Sequence, residues 1–185
     1  MRTLEIRRHS LTKKGENRGS GSQLSREGVQ LARNIGESIG PFDQVVASTV
    51  PRAAETAIAM GFAVDELIDE LCPAGPDFYA EVGHHERWSW DDPFVTFAAF
   101  IARDGPTRQL AQLQERVWKR AISPAPNGGS ALIISHGRVI ECGLIACFPS
   151  APHAEWGAPF QHGEGARVIE KDGRWIGVQL LRIPA

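Results

Sequence analysis

The sequence is poor in cysteine and has no excess of charge of either sign. Its three cysteines, Cys72, Cys142 and Cys147, are an odd number and form no C-x-x-C pair, which argues against a disulfide framework and against a zinc knuckle. We interpret them as buried, unreactive thiols in a reducing compartment. A formal net charge of -2 lacks the basic excess of nucleic-acid-binding or membrane-surface proteins, so neither partner is expected.

Long apolar runs are missing as well. The N-terminus leads directly into a short predicted strand, with no apolar signal core and no spanning segment, which predicts a cytoplasmic protein. The chain has 185 residues, of which 42% are hydrophobic and 23% charged, and this suits one soluble globular domain over residues 1–185. No internal repeat or interdomain linker is visible.

Three short apolar segments end in residues that bind anions. Residues 4–6 run into Arg8 and His9, residues 44–47 run into Ser48 and Arg52, and residues 131–134 run into Ser135 and His136. In α/β proteins, ligands bind outside the carboxyl ends of parallel strands. The pattern therefore predicts two imidazoles and two guanidiniums around one phosphate-binding point.

Helical patterns alternate with these strands. Ser25 is placed to cap a helix that continues to Gly40-Pro41, and Pro51 suits the first turn of the next helix. Ser48 is interpreted as a cap that also orients the pocket. Asp172-Gly173 between two alternating segments predicts a hairpin. The order of elements predicts a three-layer α/β/α sandwich with a mostly parallel central sheet.

Residues 64–105 are interpreted as an insertion that could form a lid over the strand ends. This segment contains an acidic stretch, a Pro/Gly cluster and several aromatic residues, and it ends in helical spacing from Asp92-Pro93 onward. His84 and His85 could line the lid or form a solvated pair. Trp88 and Trp90 could cover the core or contact substrate. His153 and His162 lie among prolines and glycines and are interpreted as surface residues, with a place near the pocket entrance left open for His162.

The predicted pocket suits phosphoryl transfer. Arginine binds phosphate oxygens through paired hydrogen bonds and keeps its charge. A neutral imidazole can attack phosphorus and form a phosphohistidine, which divides hydrolysis into two steps. Neighbouring arginines lower the pKa of a histidine and keep it neutral. A metal site on His9 and His136 is disfavoured, because two arginines would repel the cation and no carboxylate shares these motifs.

Taken together, the motifs resemble the histidine phosphatase superfamily, the phosphoglycerate mutase-like group. The resemblance covers nearly the whole chain and is weakest from Glu70 to Ala121. It rests on Arg8-His9-Ser10, on Ser48 with Arg52, Ala53, Glu55 and Thr56, on Ser135-His136-Gly137, on Leu24, Ser25, Gly28, Gln30 and Ala32, and on the hairpin about Asp172-Gly173.

The resemblance implies a phosphatase that hydrolyses phosphomonoesters, or a related small phosphoryl substrate, through a phosphohistidine. His9 would be the nucleophile, Arg8, Arg52 and His136 would complete the phosphate pocket, and no cofactor or metal would be needed. The substrate would be a small phosphorylated molecule or a phosphoprotein. Glu55 could join the site or serve only to complement the helix dipole.

The general acid is assigned by the resemblance to Glu70, with Glu81 and Glu86 as alternatives. Two departures from the family pattern matter. Ser10 replaces the usual glycine, and the loop after His9 lacks the family's Trp-Asn pair, which favours the smaller phosphatases, including phosphohistidine phosphatases. A phosphoglycerate mutase-type phosphotransferase and a catalytically silent phosphate-binding regulatory module remain the alternatives.

Overall fold

A computed structural model describes residues 1–13, 21–83 and 92–183. The described residues form six strands and six α-helices. The strands are β1 (Arg2–Arg8), β2 (Gln44–Ser48), β3 (Glu66–Ile68), β4 (Ser130–Ser135), β5 (Gly165–Lys171) and β6 (Arg174–Leu181). The helices are α1 (Arg26–Gly36), α2 (Pro51–Ala59), α3 (Pro76–Val82), α4 (Pro93–Ile101), α5 (Pro106–Ile122) and α6 (Val139–Cys147), with short 3₁₀ helices at Asp69–Leu71 and His153–Trp156. None of the helices within these ranges has both the length and the apolar character needed to cross a bilayer.

The six strands form one mixed sheet in the order β3-β2-β4-β1-β5-β6. β1, β2, β3 and β4 are mutually parallel, whereas β5 pairs antiparallel with β1 and with β6. Arg8 pairs with Ser135, and Ala47 pairs with Ile134, so β1, β2 and β4 end at one level. This register brings the three polar strand ends of the sequence to a single edge of the sheet.

Helices cover both faces of the sheet and create two cores. On one face, Leu4, Ile6 and Ile133 pack with residues of α3, α4, α5 and α6. On the other, Leu132 and Ile134 pack against α1 and α2. Alternate residues of β4 thus face opposite cores, as strand geometry requires. The predicted three-layer α/β/α sandwich with a mostly parallel sheet is confirmed.

Local signals located several elements correctly. The Ser25 Oγ accepts a hydrogen bond from the Gly28 amide at 3.0 Å, as an N-cap does, and Pro51 opens α2. The hairpin at Asp172-Gly173 joins β5 and β6. Helix α1 ends at Gly36 rather than continuing to Gly40, because the Ser38 hydroxyl donates to the Ile35 carbonyl (3.0 Å) and competes with the helical ladder.

The segment predicted as a lid contributes heavily to the core where the structure describes it. Phe78 of α3 and Phe94 and Phe97 of α4 are almost fully buried. The acidic stretch also contains β3, which the sequence pattern did not indicate, because a three-residue edge strand with only Ile68 buried gives no periodic signal. The structure does not describe residues 84–91. The lid interpretation therefore stays a prediction for the residues there that the sequence analysis named, which are His84, His85, Glu86, Trp88 and Trp90.

A buried ion network ties β1 to β5. The Glu5 carboxylate, 1% exposed, accepts from Arg7 Nε at 2.6 Å and from Arg167 Nη2 at 2.7 Å. Glu5→Gln should lower the free energy of unfolding by about 3 kcal/mol, because Arg7 would be left buried without its counter-charge. Urea unfolding followed by circular dichroism measures the loss.

The matched control is Glu115→Gln, which breaks the exposed pair between Glu115 and Lys119 on α5. That change should cost less than about 1 kcal/mol. Equal losses in the two variants would show that burial of the Glu5 network adds nothing to stability.

Candidate active site

Four residues predicted from the sequence converge where β1, β2 and β4 end. Arg8, His9, Arg52 and His136 line one cavity. The rings of His9 and His136 lie 5.1 Å apart between centroids. Arg52, in the first turn of α2, lies between them, with its Nε 3.0 Å from His9 Nε2 and its Nη2 3.3 Å from His136 Nδ1. Two imidazoles and two guanidiniums therefore surround one point, as the sequence predicts.

Backbone contacts fix the position and the tautomer of His9. The Ser10 hydroxyl donates to the Gly28 carbonyl at 2.7 Å, and the Ser10 amide donates to Thr56 Oγ1 at 2.9 Å. His9 Nδ1 lies 2.7 Å from the Ser10 carbonyl oxygen, which can only accept a hydrogen bond. Nδ1 therefore carries the proton, and Nε2 keeps a lone pair that faces Arg52.

The loop after His9 is held against α1 by a close backbone approach. A Cβ at Gly28 would lie only 2.0 Å from the Leu11 carbonyl oxygen, so only glycine fits at this position. Ser10, which replaces the family's glycine, is fully buried and makes two of the hydrogen bonds that position this loop. The serine at this position is therefore accommodated in the buried loop with its hydroxyl hydrogen-bonded.

Ser48 orients the second histidine. Because Arg52 donates to His136 Nδ1, the proton of this imidazole is on Nε2, which lies 2.9 Å from Ser48 Oγ. The same hydroxyl accepts from the Val50 amide at 3.1 Å. Ser48 thus links the start of α2 to the ring of His136. It is not the helix cap that the sequence suggested, because the N-cap of α2 is Val50 and no side chain caps this helix within the described residues.

Behind Arg8 lies a buried carboxylate, Glu141, which sequence reasoning missed and which is linked to Arg8 through the backbone of Phe160. Arg8 Nη1 donates to the Phe160 carbonyl at 2.7 Å, and the Phe160 amide donates to Glu141 Oε1 at 2.9 Å. Glu141 also accepts from the backbone amide of Arg138, whose φ is 73°. Burial raises the pKa of the Glu141 carboxyl. The only signal available was one glutamate inside the apolar pattern of α6.

The environment keeps both imidazoles neutral. Burial, followed by the neighbouring His136 and by Arg52 and Arg8, lowers the pKa of His9 to about 2. Burial and the same two arginines lower the pKa of His136 to about 3. Desolvation and like charge both disfavour the imidazolium. Both rings are therefore neutral at neutral pH, with one nitrogen of each free of a proton, and this is the state that a nitrogen nucleophile needs.

The cavity around these groups has a volume of about 930 Å³, and its described charged lining is cationic. Lys13 and Arg138 join Arg8 and Arg52 there, and no aspartate or glutamate lines the cavity within the described residues. A cavity of this size and charge suits an anionic ligand larger than a phosphate ion.

Glu70 and Glu81, two of the carboxylates predicted as the general acid, lie away from the cavity. Glu70 points outward and accepts from Arg120 (3.2 Å), because the 3₁₀ helix Asp69–Leu71 buries Leu71 instead. Glu81 accepts from the amide and hydroxyl of Thr107 at the start of α5. The geometry therefore brings neither glutamate into the cavity, and Glu86 lies outside the described residues. Glu55 accepts from the Leu24 amide (2.7 Å) and positions that segment.

Two residues that line the cavity, Cys72 and His162, lie in places other than the sequence analysis favoured. Cys72 was interpreted as a buried thiol, but it is half-buried and lines the cavity, 3.1 Å from Thr49 Oγ1. Cys142 and Cys147 are buried, as expected. His162 was interpreted as a surface residue, yet its ring lies 5.3 Å from that of His9.

The fold and site described above define an α/β protein with a histidine- and arginine-lined anion site. The family model of the histidine phosphatase superfamily (branch 1) matches residues 5–180. The chain belongs to this superfamily, which confirms the resemblance inferred from the motifs. Among curated proteins, none matches the sequence.

Solved structures confirm the fold. A phosphoserine phosphatase from Entamoeba histolytica, in complex with 3-phosphoglyceric acid, is 18% identical with a TM-score of 0.70 over 99% of this chain and 98% of that one. A mycobacterial glucosyl-3-phosphoglycerate phosphatase is 18% identical with a TM-score of 0.70 over 100% of both chains. The protein histidine phosphatase SixA, complexed with tungstate, is 16% identical with a TM-score of 0.56 over 97% and 96%.

Proposed function

We propose that this protein is a phosphatase that hydrolyses phosphomonoesters, or a related small phosphoryl substrate, through a phosphohistidine at His9. The single observation that carries the proposal is the state of His9. Its Nδ1–H is committed to the Ser10 carbonyl, while its Nε2 lone pair faces Arg52. A neutral nitrogen nucleophile beside a fixed cation is the arrangement that attack on a phosphoryl group requires.

The proposed first step transfers the phosphoryl group to His9. In the resting site, Arg52 Nε–H donates to His9 Nε2. When the substrate binds, this N–H donates to a phosphoryl oxygen instead, and the Nε2 lone pair attacks phosphorus. Arg52 and Arg8 bind the equatorial oxygens, where charge develops. The N–P bond forms as the ester P–O bond breaks, and the leaving oxygen takes up one proton.

In the proposed second step, water attacks the phosphohistidine. The O–P bond forms, the N–P bond breaks, and one proton leaves the water as inorganic phosphate is released. His136 holds Arg52 in place throughout through its Nδ1 acceptor. Since desolvation and like charge keep the His9 imidazolium unfavourable, the ring returns to its neutral state ready for another cycle.

The substrate class follows from the cavity and from the relatives. The cavity accepts an anion with a sizeable organic portion, and the relatives' names include phosphatases of phosphoserine, of glucosyl-3-phosphoglycerate and of protein histidine. These substrates share only the phosphoryl group. We therefore propose a small phosphorylated metabolite or a phosphoprotein, with the phosphoryl group as the common recognition element.

The test combines turnover with trapping of the intermediate. Purified protein is incubated with nitrophenyl phosphate and a panel of phosphorylated metabolites and phosphopeptides, and inorganic phosphate is measured. Brief reaction followed by an alkaline quench should leave protein-bound phosphate that is lost on acid treatment. Transfer to a second hydroxyl instead of water would indicate a mutase. Phosphate binding without turnover would indicate a silent module.

A further inference from the structure

Resting on the proposed function, we propose that His162 supplies the proton to the leaving oxygen of the substrate. The reaction needs such a donor, because an alkoxide is a poor leaving group without one. Glu70 and Glu81 lie outside the cavity, and the described part of its lining contains no carboxylate. The third imidazole of the cavity is the remaining side chain whose ordinary titration range is nearest to neutral pH.

The backbone fixes His162 beside the nucleophile. β5 runs antiparallel to β1 and begins just after this residue. The Gly163 amide donates to the Arg8 carbonyl at 3.0 Å, and the Arg8 amide donates to the Glu164 carbonyl at 2.8 Å. These two hydrogen bonds place residue 162 at the end of β1, next to His9. Its position follows from strand pairing and does not depend on a flexible loop.

The ring of His162 also differs from the other two in its hydrogen bonding. His9 and His136 each have both ring nitrogens engaged, with Ser10 and Arg52 and with Ser48 and Arg52 respectively. His162 Nε2 is 3.5 Å from Arg8 Nη2. Its Nδ1 forms no hydrogen bond with a residue in the described ranges, so this nitrogen is the one available to exchange a proton with a substrate.

The proton balance follows directly. In the first step the N–P bond to His9 forms, the ester P–O bond breaks, and the proton on His162 moves to the departing oxygen, which leaves as an alcohol. In the second step the neutral His162 accepts a proton from the attacking water. The O–P bond forms, the N–P bond breaks, and the proton on His162 is released when phosphate leaves and taken up again with the next substrate.

Substrate binding prepares His162 for this role. Burial, Arg8 and Arg52 lower the pKa of His162 to about 4. Within the described ranges, the charged and titratable groups that face it are Arg8 from β1, Arg52 from α2 and the neutral His9. A phosphoryl dianion between the two arginines offsets their charges and raises the pKa of the imidazole, so a proton is taken up with the substrate.

The test is a comparison of leaving groups with His162→Gln. Glutamine keeps a hydrogen-bond donor of similar size but cannot transfer a proton. For an alkyl phosphate, we expect kcat to fall at least about 100-fold, and for a nitrophenyl phosphate we expect a change below about 3-fold, because an acidic phenol leaves without protonation. With the alkyl ester, the wild-type rate should fall at alkaline pH as His162 loses its proton, and this fall should be absent from the pH profile of His162→Gln.

The matched control is His153→Gln, which makes the same substitution in a residue that bonds the Phe148 carbonyl and does not line the cavity. It should change neither substrate's rate. Equal losses on both substrates, or no loss, in His162→Gln would overturn the proposal. A selective loss in Glu70→Gln or Glu86→Gln without one in His162→Gln would also overturn it. Wild-type protein that hydrolyses neither ester would refute the proposed function itself, which is a distinguishable result.

Discussion

His9→Ala is expected to lower the turnover of nitrophenyl phosphate by at least about 1000-fold, as removal of a catalytic nucleophile does in other enzymes. The two arginines and His136 remain in this variant, so the cavity keeps its positive charge. Inorganic phosphate should therefore still bind, while no phosphate can become attached to the protein.

Three measurements check this expectation: the steady-state rate, the acid-labile phosphate trapped on the protein, and phosphate binding by calorimetry. Circular dichroism serves as the control for folding. Retained turnover with normal trapping would remove His9 as the nucleophile. Loss of turnover together with loss of secondary structure would instead assign His9 a structural role.

Arg52→Lys is expected to lower kcat/KM by about 100-fold, although the charge is conserved. Arg52 uses different guanidinium nitrogens to reach His9 Nε2, His136 Nδ1 and Ser22 Oγ. A lysine ammonium is a single point charge on a flexible stem and cannot hold both imidazoles in place at once. The affinity for inorganic phosphate should fall by a much smaller factor than kcat does, because binding depends mainly on charge.

The matched control is Arg33→Lys, on the exposed side of α1, which should leave kcat/KM unchanged. Rates of the two variants on nitrophenyl phosphate give the comparison. If Arg52→Lys retained full activity, positive charge alone would account for the role of Arg52, and the paired contacts to His9 and His136 would have no catalytic consequence.

The sequence was sufficient to predict the convergence of Arg8, His9, Arg52 and His136 because the order and direction of the strands determine it. Short apolar segments identified β1, β2 and β4, and parallel pairing brings their ends together whatever the details of the loops. His9 and His136 directly follow β1 and β4, and Arg52 lies in the first turn of α2, four residues after the end of β2. Their convergence therefore depended on one topological rule and on no knowledge of side-chain packing.

The residues that were assigned wrongly or missed depend on longer-range contacts. The direction of Glu70 is set by the 3₁₀ helix Asp69–Leu71, which buries Leu71. Three residues are too few for a hydrophobic period to show which side chain of such a helix faces inward. The position of His162 depends on the pairing of β5 with β1, which are more than 150 residues apart in sequence. Pro and Gly neighbours indicate a surface loop but do not indicate what that loop contacts.

The antiparallel direction of β5 has a consequence for how such a site can diversify. Parallel strands present their last residues at the rim, where Arg8, His9 and His136 lie. A reversed strand presents the residues before its beginning, so the segment that precedes Gly165 adds side chains to the cavity without altering β1, β2 or β4. Under the proposed mechanism, we expect substitutions in this one short connection to change the chemistry of the leaving group while the phosphoryl-binding residues stay constant.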